Sequence, residues 1–268
     1  MQSEHLPVVA SEALGPYRLL RLRRSGLRPG TPGQFFMLEA PGRVLPRPFS
    51  LCLAPTRELG FLVDPIGPGT RAIAGLEPGD AVRVTGPLGK GFDLAVSRPL
   101  LVGGGIGIAP FPYLSEQLGR PPALLGFRTA HHAEAAALVP NAEIVLDPTL
   151  VTDALPADPG DVLACGPEPM LDAVEERVAG AQLAREAPMA CGYGACYGCV
   201  VERDGAYARL CVEGPVLRSP TSPLFSVPTS REAAAAPAGQ APAPPMVARP
   251  SEEGRAPLPL SSAEDGTS

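Results

Sequence analysis

Short runs of alternating apolar and polar residues mark the first third of the chain. YRLLRLR, GQFFMLEA, RPFSLCLA, LGFLVD and DAVRVTG are each bounded by Pro or Gly and each fits a half-buried strand. Strands this short and this closely spaced predict an antiparallel barrel or sandwich, ending about Val96. From Arg98 the rhythm changes. RPLLVGG leads into IAPFPYLSEQLG, PALLGF precedes AEAAAL, AEIVL follows, and DVLACG leads into PEPMLDAVEERVAG. Alternating strands and helices predict a parallel sheet with helices on its faces, with the boundary near Ser97.

Beyond this second pattern, residues 189–218 form a cysteine-rich unit too small to own a core, and it needs a metal to hold it. Residues 219–268 contain ten prolines and ten alanines, which cannot bury enough apolar surface to offset chain entropy. The expected organisation is therefore a β-barrel over 1–97, an α/β domain over 98–188, a small metal-holding module over 189–218 and a disordered Pro/Ala-rich tail.

Charge and hydropathy narrow the function classes. The net charge is -6 and no Lys/Arg block forms a basic stripe, so nucleic acid is not an expected partner. The most apolar window, Pro99 to Leu114, is interrupted by four glycines and by Pro110 and Pro112, and it is shorter than the roughly 20 residues a spanning helix needs. No membrane span is expected. The N-terminus has neither a basic region nor a continuous apolar one, so no export signal is read there and a cytoplasmic location is expected. Six cysteines in such a chain point to metal or redox chemistry rather than a disulfide framework.

Four of the six belong together. MACGYGACYGCVV places Cys191, Cys196 and Cys199 at the spacing C-x4-C-x2-C, and Cys211 follows after ERDGAYARL. Three close thiols and one more distant are the plant-ferredoxin arrangement for a 2Fe-2S cluster. Gly192, Gly194 and Gly198 let the loop come close and turn its N–H groups inward. A structural zinc site also takes four cysteines but usually presents them as two close pairs, and plain buried thiols are the remaining alternative. Cys52 and Cys165 lie in apolar strand-like runs, where a thiol behaves as a small buried hydrophobe.

Two further constellations suit phosphate-bearing ligands. Arg47, Pro48, Phe49 and Ser50 open an apolar strand, and Gly67-Pro68-Gly69-Thr70 opens the helix-like run TRAIAGL; an arginine pairs with phosphate and free N–H groups favour an anion. Taken alone, Arg47 reads equally as a surface charge and Gly67 to Thr70 as an ordinary turn. Gly103, Gly104 and Gly105 follow a predicted strand. They do not make the usual dinucleotide fingerprint, because the third glycine of G-x-G-x-x-G would fall at Ile108. The loop still offers bare backbone, and Cys165, Gly166 and Pro167 end a later strand on the side where open α/β sheets bind ligands. Arg128, after PALLGF, is either a 2'-phosphate partner or a solvated cation. His131 and His132 read as solvent-facing without a paired acid, and Glu175, Glu176 and Arg177 as one exposed helix face.

RPFS, GPGT, GGGIGIAP, CGPEPML and CGYGACYGCVV, with a last Cys before EGPV, stand in an order that resembles the electron-transfer subunits of dihydroorotate dehydrogenase B, within the ferredoxin reductase superfamily. The resemblance spans roughly residues 5 to 218. It implies an antiparallel FAD-binding barrel, a parallel-sheet domain receiving NAD and a C-terminal 2Fe-2S module. Arg47 to Ser50 match its flavin-binding segment, Leu62, Val63 and Asp64 the strand beside the flavin, Gly69 and Thr70 its pyrophosphate turn, and Cys191, Cys196, Cys199 and Cys211 its cluster ligands. It further implies a separate FMN-containing catalytic subunit that oxidises dihydroorotate in pyrimidine synthesis, with two copies of each subunit, and electron flow through the cluster and FAD to NAD+. The sequence departs from the family pattern at Asp64, at Pro68 and in a short Leu146 to Leu155 segment. The flavin subunit of an NADH-dependent ferredoxin:NADP+ oxidoreductase or of a soluble hydrogenase shares the expected fold, and a zinc-stabilised interaction module would account for the cysteines alone.

Overall fold

The computed structural model describes residues 2–203 and 205–220, so the expected disordered tail lies, beyond residue 220, outside the described residues. The N-terminal part is a six-stranded antiparallel sheet made of β1 (Gln2–Leu14), β2 (Tyr17–Arg23), β3 (Phe35–Leu38), β4 (Arg47–Ser50), β5 (Glu58–Val63) and β6 (Ala81–Leu88), in the order β4-β3-β6-β1-β2-β5. The sheet curls until its two ends meet. Just after β4, the Cys52 N–H donates to Gly60 O at 2.8 Å, and Gly60 N–H donates to Leu53 O at 2.7 Å. Within the curl, Phe36 and Phe61 pack edge to face with centroids 5.7 Å apart, and burial of each ring contributes about 1.5–3 kcal/mol.

β1 was not expected as a strand. Its first half pairs with β6 and its second half with β2, and the register shifts between Val8 and Ala10. Leu6 and Val8 face inward while the charged residues around them stay out, so an interrupted alternation carries this bent strand.

α1 (Pro68–Ala74) links β5 to β6. The second sheet contains β7 (Pro99–Gly104), β8 (Ala123–Phe127), β9 (Ala142–Leu146), β10 (Asp161–Cys165) and β11 (Gln182–Ala184), all parallel. α2 (Phe111–Gln117), α3 (Ala130–Ala133) and α4 (Glu168–Arg177) connect its strands. The alanine-rich AEAAAL, expected as a helix, is a single 3-10 turn over Glu134–Leu138, cut short before Pro140. His131 has an acid after all: its Nδ1 lies 2.8 Å from Glu134 Oε1, and both side chains are exposed.

A third piece, the hairpin of β12 (Val200–Arg203) and β13 (Ala206–Arg209), follows the cysteine loop, and the chain then returns as β14 (Val216–Arg218). β14 pairs antiparallel with β11, so the expected third module contributes the edge strand of the α/β sheet. The module borrows its core: Cys199, Leu210 and Cys211 are buried together with Phe35, Met37 and Leu88 of the barrel. Glu175, expected on an exposed helix face, is half-buried and holds Arg185 at 2.6 Å and Arg203 at 2.7 Å, so α4 is tied to both ends of the cysteine segment. The barrel and α/β sheet are joined by a reciprocal pair in which Asp93 N–H donates to Gln182 Oε1 at 2.7 Å and Gln182 Nε2 donates to Asp93 O at 2.9 Å.

Candidate functional site

At the carboxyl edge of the parallel sheet, Cys165 lies beside Gly103 and Gly104 beside Gly126 in the pairing register. The two loops leaving this edge touch backbone to backbone: a Cβ on Gly107 would lie 2.4 Å from Gly166 Cα. A Cβ on Gly104 would lie 2.9 Å from the Met170 sulfur and from Pro167, and one on Gly103 would lie 2.7 Å from Phe111. The glycines therefore serve loop packing as well as ligand approach. Gly107 was not singled out in the sequence, although it is the fourth glycine of the same run.

A cavity of about 350 Å³ opens on this edge, lined among others by Gly104, Gly105, Arg128, Asp147, Thr152 and Pro167. Of the expected residues Gly104, Gly105 and Pro167 reach it, whereas Gly103 lies beneath the loop. Asp147 and Thr152 belong to the Leu146 to Leu155 segment, whose shortness was its only signal in the sequence.

On the other side of the Cys165–Pro167 turn lies a second cavity of about 150 Å³. Pro48 and Ser50, on one face of β4, border it together with Phe35, Cys165, Glu186 and Met189. Phe49 points the other way into the barrel core. No hydrogen bond engages the Ser50 hydroxyl among the described residues. Cys165 is 4% exposed; burial first, then the charges of Glu186 and Glu168, push its thiol well above the usual range, so it is neutral.

Arg47 runs from β4 to the start of α1. A Cβ on Gly69 would lie 2.7 Å from Arg47 Nε, so only glycine allows the guanidinium this close to the turn. Arg47 Nη1 donates to Leu45 O at 2.9 Å, and among the described residues no carboxylate pairs with it. The Thr70 hydroxyl closes the turn: it accepts from Gly67 N–H at 2.9 Å and donates to Gly67 O at 3.2 Å. An unpaired cation beside such a turn fits a diphosphate. Leu62 and Val63 have buried side chains, and Asp64 faces the charges of His132 and Arg128. Burial raises the Asp64 carboxyl above the usual range, opposed by the nearby His132 ring and Arg128 guanidinium.

The four cysteines of the loop assemble as two pairs. Cys199 and Cys211 are buried with their Sγ atoms 3.2 Å apart. Cys191 lies close enough to Cys196, which is exposed, for the two thiols to influence each other. Burial would raise the Cys191 thiol, but hydrogen bonds from the Tyr193 and Cys196 backbone, the Cys196 side chain and the Ala195 backbone outweigh it and bring it down to about 6. Burial pushes Cys211 up to about 12, aided by the Cys199 thiol and opposed by Gly194 N–H. Gly192 and Gly194 have φ of 78° and 88°, the left-handed region that glycine favours, and the Gly194 N–H serves Cys211. Among the described residues no three metal-ligating side chains converge as a single ion requires. Two thiol pairs served by inward N–H donors fit a two-iron cluster, with one pair for each iron.

Arg209 braces this cradle. Its Nη1 donates to Gly194 O at 3.3 Å, its Nη2 to Glu213 Oε1 at 2.8 Å, and its guanidinium lies 5.5 Å from the Tyr197 ring centre. Among the described residues no helix is long and apolar enough to cross a membrane.

Comparison with known proteins matches residues 186–220 to the iron-sulfur cluster binding domain of dihydroorotate dehydrogenase B. The dihydroorotate dehydrogenase B (NAD(+)) electron transfer subunit of Geobacillus thermodenitrificans is 39% identical over 218 residues, covering 70% of this chain and 85% of the relative. That of Bacillus caldolyticus is 37% identical over 244 residues, covering 79% and 95%. Among solved structures, the NADH-dependent reduced ferredoxin-NADP oxidoreductase superposes with a TM-score of 0.71 at 22% identity, over 80% of this chain and 88% of that one. Phthalate dioxygenase reductase, which passes electrons from pyridine nucleotides to a [2Fe-2S] centre, superposes with a TM-score of 0.61 at 16% identity, over 82% and 96%. These two share the ferredoxin reductase fold, and by its curated relatives the chain belongs to the family of dihydroorotate dehydrogenase B electron transfer subunits.

Proposed function

We propose that this chain carries electrons from a dihydroorotate-oxidising catalytic subunit to NAD+ in pyrimidine synthesis. Cys191 and Cys196 would hold one iron of a 2Fe-2S cluster, and Cys199 and Cys211 the other. Arg47, with the Gly69–Thr70 backbone, would hold the FAD diphosphate, and Pro48, Ser50 and Cys165 would border its ring. Gly104, Gly105, Gly166 and Pro167 would receive the nicotinamide nucleotide. When bound, FAD exchanges electrons singly with a cluster and in pairs, as hydride, with a nicotinamide. The residues of this chain bring the three groups together and keep water from the transfer path.

The observation that carries this reading is the position of Phe35. It borders the cavity of Ser50 and Cys165 and is packed in the apolar cluster of Cys199 and Cys211, as are Ala187 and Met189, so one apolar wall is common to the flavin side and the cluster side. The turn Cys165–Pro167 in the same way borders both cavities, so a nucleotide held in one would need only to reach past this turn to meet a flavin ring in the other.

The family name implies a catalytic partner subunit. An assembly of two copies of each in the cytoplasm is the finer reading, tested by native mass measurement of the complex co-purified with its partner. Dihydroorotate-dependent reduction of NAD+ by that complex is the expected activity. Recovery of a hydrogenase or glutamate-synthase-like partner, with no dihydroorotate oxidase, would move the chain to the neighbouring function whose fold it shares.

A further inference from the structure

Tyr17 opens β2 and is only 2% exposed, yet its hydroxyl makes no hydrogen bond among the described residues. A buried phenol ordinarily finds a partner. This one lies against the nucleotide loop: a Cβ on Gly105 would come within 3.8 Å of the Tyr17 oxygen, and Gly105 lines the cavity at the carboxyl edge of the parallel sheet. The His132 ring packs edge to face on the phenol with centroids 5.9 Å apart, and its Nδ1 is occupied by Thr129 Oγ1 at 2.8 Å, so it fixes the ring without engaging the hydroxyl.

Asp64 and Arg128 reach the same place. The β2–β5 pairing sets Arg18 opposite Val63, which brings Tyr17 alongside Asp64 at the end of the ladder. Arg128 follows β8 and lines the cavity together with Gly105. Burial first, and the Asp64 carboxylate second, push the phenol up to about 12 against the pull of Arg128, so it stays a hydroxyl and a donor. Among the described residues neither the Asp64 carboxylate nor the Arg128 guanidinium has a hydrogen bond or an ion pair. Barrel and α/β sheet thus present a donor, an acceptor and a cation beside Gly105, and none of them is spent on protein. A carboxylate accepts from sugar hydroxyls and repels phosphate, whereas a guanidinium and a phenol suit phosphate oxygens. A phosphorylated sugar satisfies all three.

We propose that Tyr17, Asp64 and Arg128 seat the ribose and diphosphate of the nicotinamide nucleotide. Asp64 accepts from the hydroxyls of the ribose beside the nicotinamide, and Tyr17 and Arg128 hold the diphosphate over the Gly104–Gly105 backbone. The proposal rests on the function proposed above and gives the barrel a share in nucleotide binding. Anchored on both sheets, the nucleotide is held with its ring toward the Cys165–Pro167 turn.

The test uses the complex with its catalytic partner and two probes, NAD+ and its analogue lacking the 2'-hydroxyl on the ribose beside the nicotinamide. The wild-type complex should show a KM for the analogue about 10-fold above that for NAD+. In Asp64→Ala, with FAD and iron loaded, the KM for NAD+ should rise and the two probes should become equal. Tyr17→Phe removes only the hydroxyl and should raise the KM for both probes, and the inhibition constant of ADP-ribose, by about 10-fold. A wild-type complex that takes the analogue as readily as NAD+ overturns the proposal whether or not the variants fold. So do loaded variants with a lower melting temperature and the wild-type KM, the outcome of a merely structural seam. A wild-type complex that lacks FAD and iron would instead overturn the functional reading on which the proposal rests.

Discussion

Phe35 and Cys199 are buried in one apolar cluster although the first belongs to the barrel and the second to the cysteine loop. The cysteine module has no core of its own. It closes on β3 and β6, and this places two of its four sulfurs behind the wall of the cavity that Ser50 and Cys165 border. The expected consequence is that cluster and flavin sites depend on each other. Phe35→Ala removes a ring shared by both and should cost about 3–5 kcal/mol, with loss of iron and of FAD in the same preparation, read by metal analysis and flavin extraction.

The thiol pairs predict a graded response to substitution. Cys199→Ser and Cys211→Ser remove buried ligands and should abolish cluster binding, because the loop is closed around them. Cys52→Ser, at a thiol that burial alone pushes up to about 12 and that lies in the core shared by barrel and α/β sheet, should leave the visible spectrum intact. Equal loss of iron in all three variants would contradict the pairing.

Among the described residues no carboxylate pairs with Arg47, which stands beside the turn that Gly69 permits. Arg47→Ala should weaken FAD binding by about 10- to 100-fold, the range of one charge-assisted hydrogen bond of about 1.5–3 kcal/mol. Arg47→Lys should recover only part of it, because a point charge replaces a planar fork. Titration of the apoprotein with FAD, followed by quenching of flavin fluorescence, measures both.

Asp161 holds the start of β7 against β10. Its Oδ2 accepts from Ser97 N–H at 2.8 Å and from Arg98 N–H at 2.9 Å, and these hydrogen bonds lower its carboxyl below the ordinary aspartate value. A depressed folded value contributes stability that is present above the unfolded value of about 3.9 and is lost as pH falls through the lower folded one. The melting temperature of Asp161→Asn should therefore lie below that of wild type at neutral pH, and the gap should close in strong acid.

Arg185 draws Glu168, Asp172 and Glu175 of α4 onto the segment that enters the cysteine loop. Its side chain is 13% exposed, whereas Glu168 and Asp172 are 45% and 60% exposed, so of its three partners only Glu175 is partly shielded from water. Arg185→Met should destabilise the fold by about 1 kcal/mol, seen as a slightly lower denaturant midpoint. Proteolysis should begin in the cysteine module.

Local chemistry made much of this readable in the sequence. Alternating strands are features of neighbouring residues and lie where their pattern pointed, whereas Gly103 and Gly104, read as a loop after the strand, end β7 itself and only Gly104 and Gly105 reach the cavity. What stayed hidden depends on distant partners. β1 changes partner midway between β6 and β2, so its alternation is interrupted at the bend. Glu175 reads as a surface residue until Arg185 and Arg203 fold back onto it. Asp147 and Glu186 reach their cavities only because strands far apart in the chain end at the same edge, a fact that no spacing rule carries.

The central claim is that the thiol pairs and the Arg47 cradle hold redox groups. An anaerobic visible spectrum of the complex, with iron, sulfide, zinc and extracted flavin quantified on the same sample, tests it most directly. The account predicts about two iron, two sulfide and one FAD per chain of this subunit. Zinc in place of iron, with no flavin, in a folded complex would contradict it and leave the four cysteines as a structural knot.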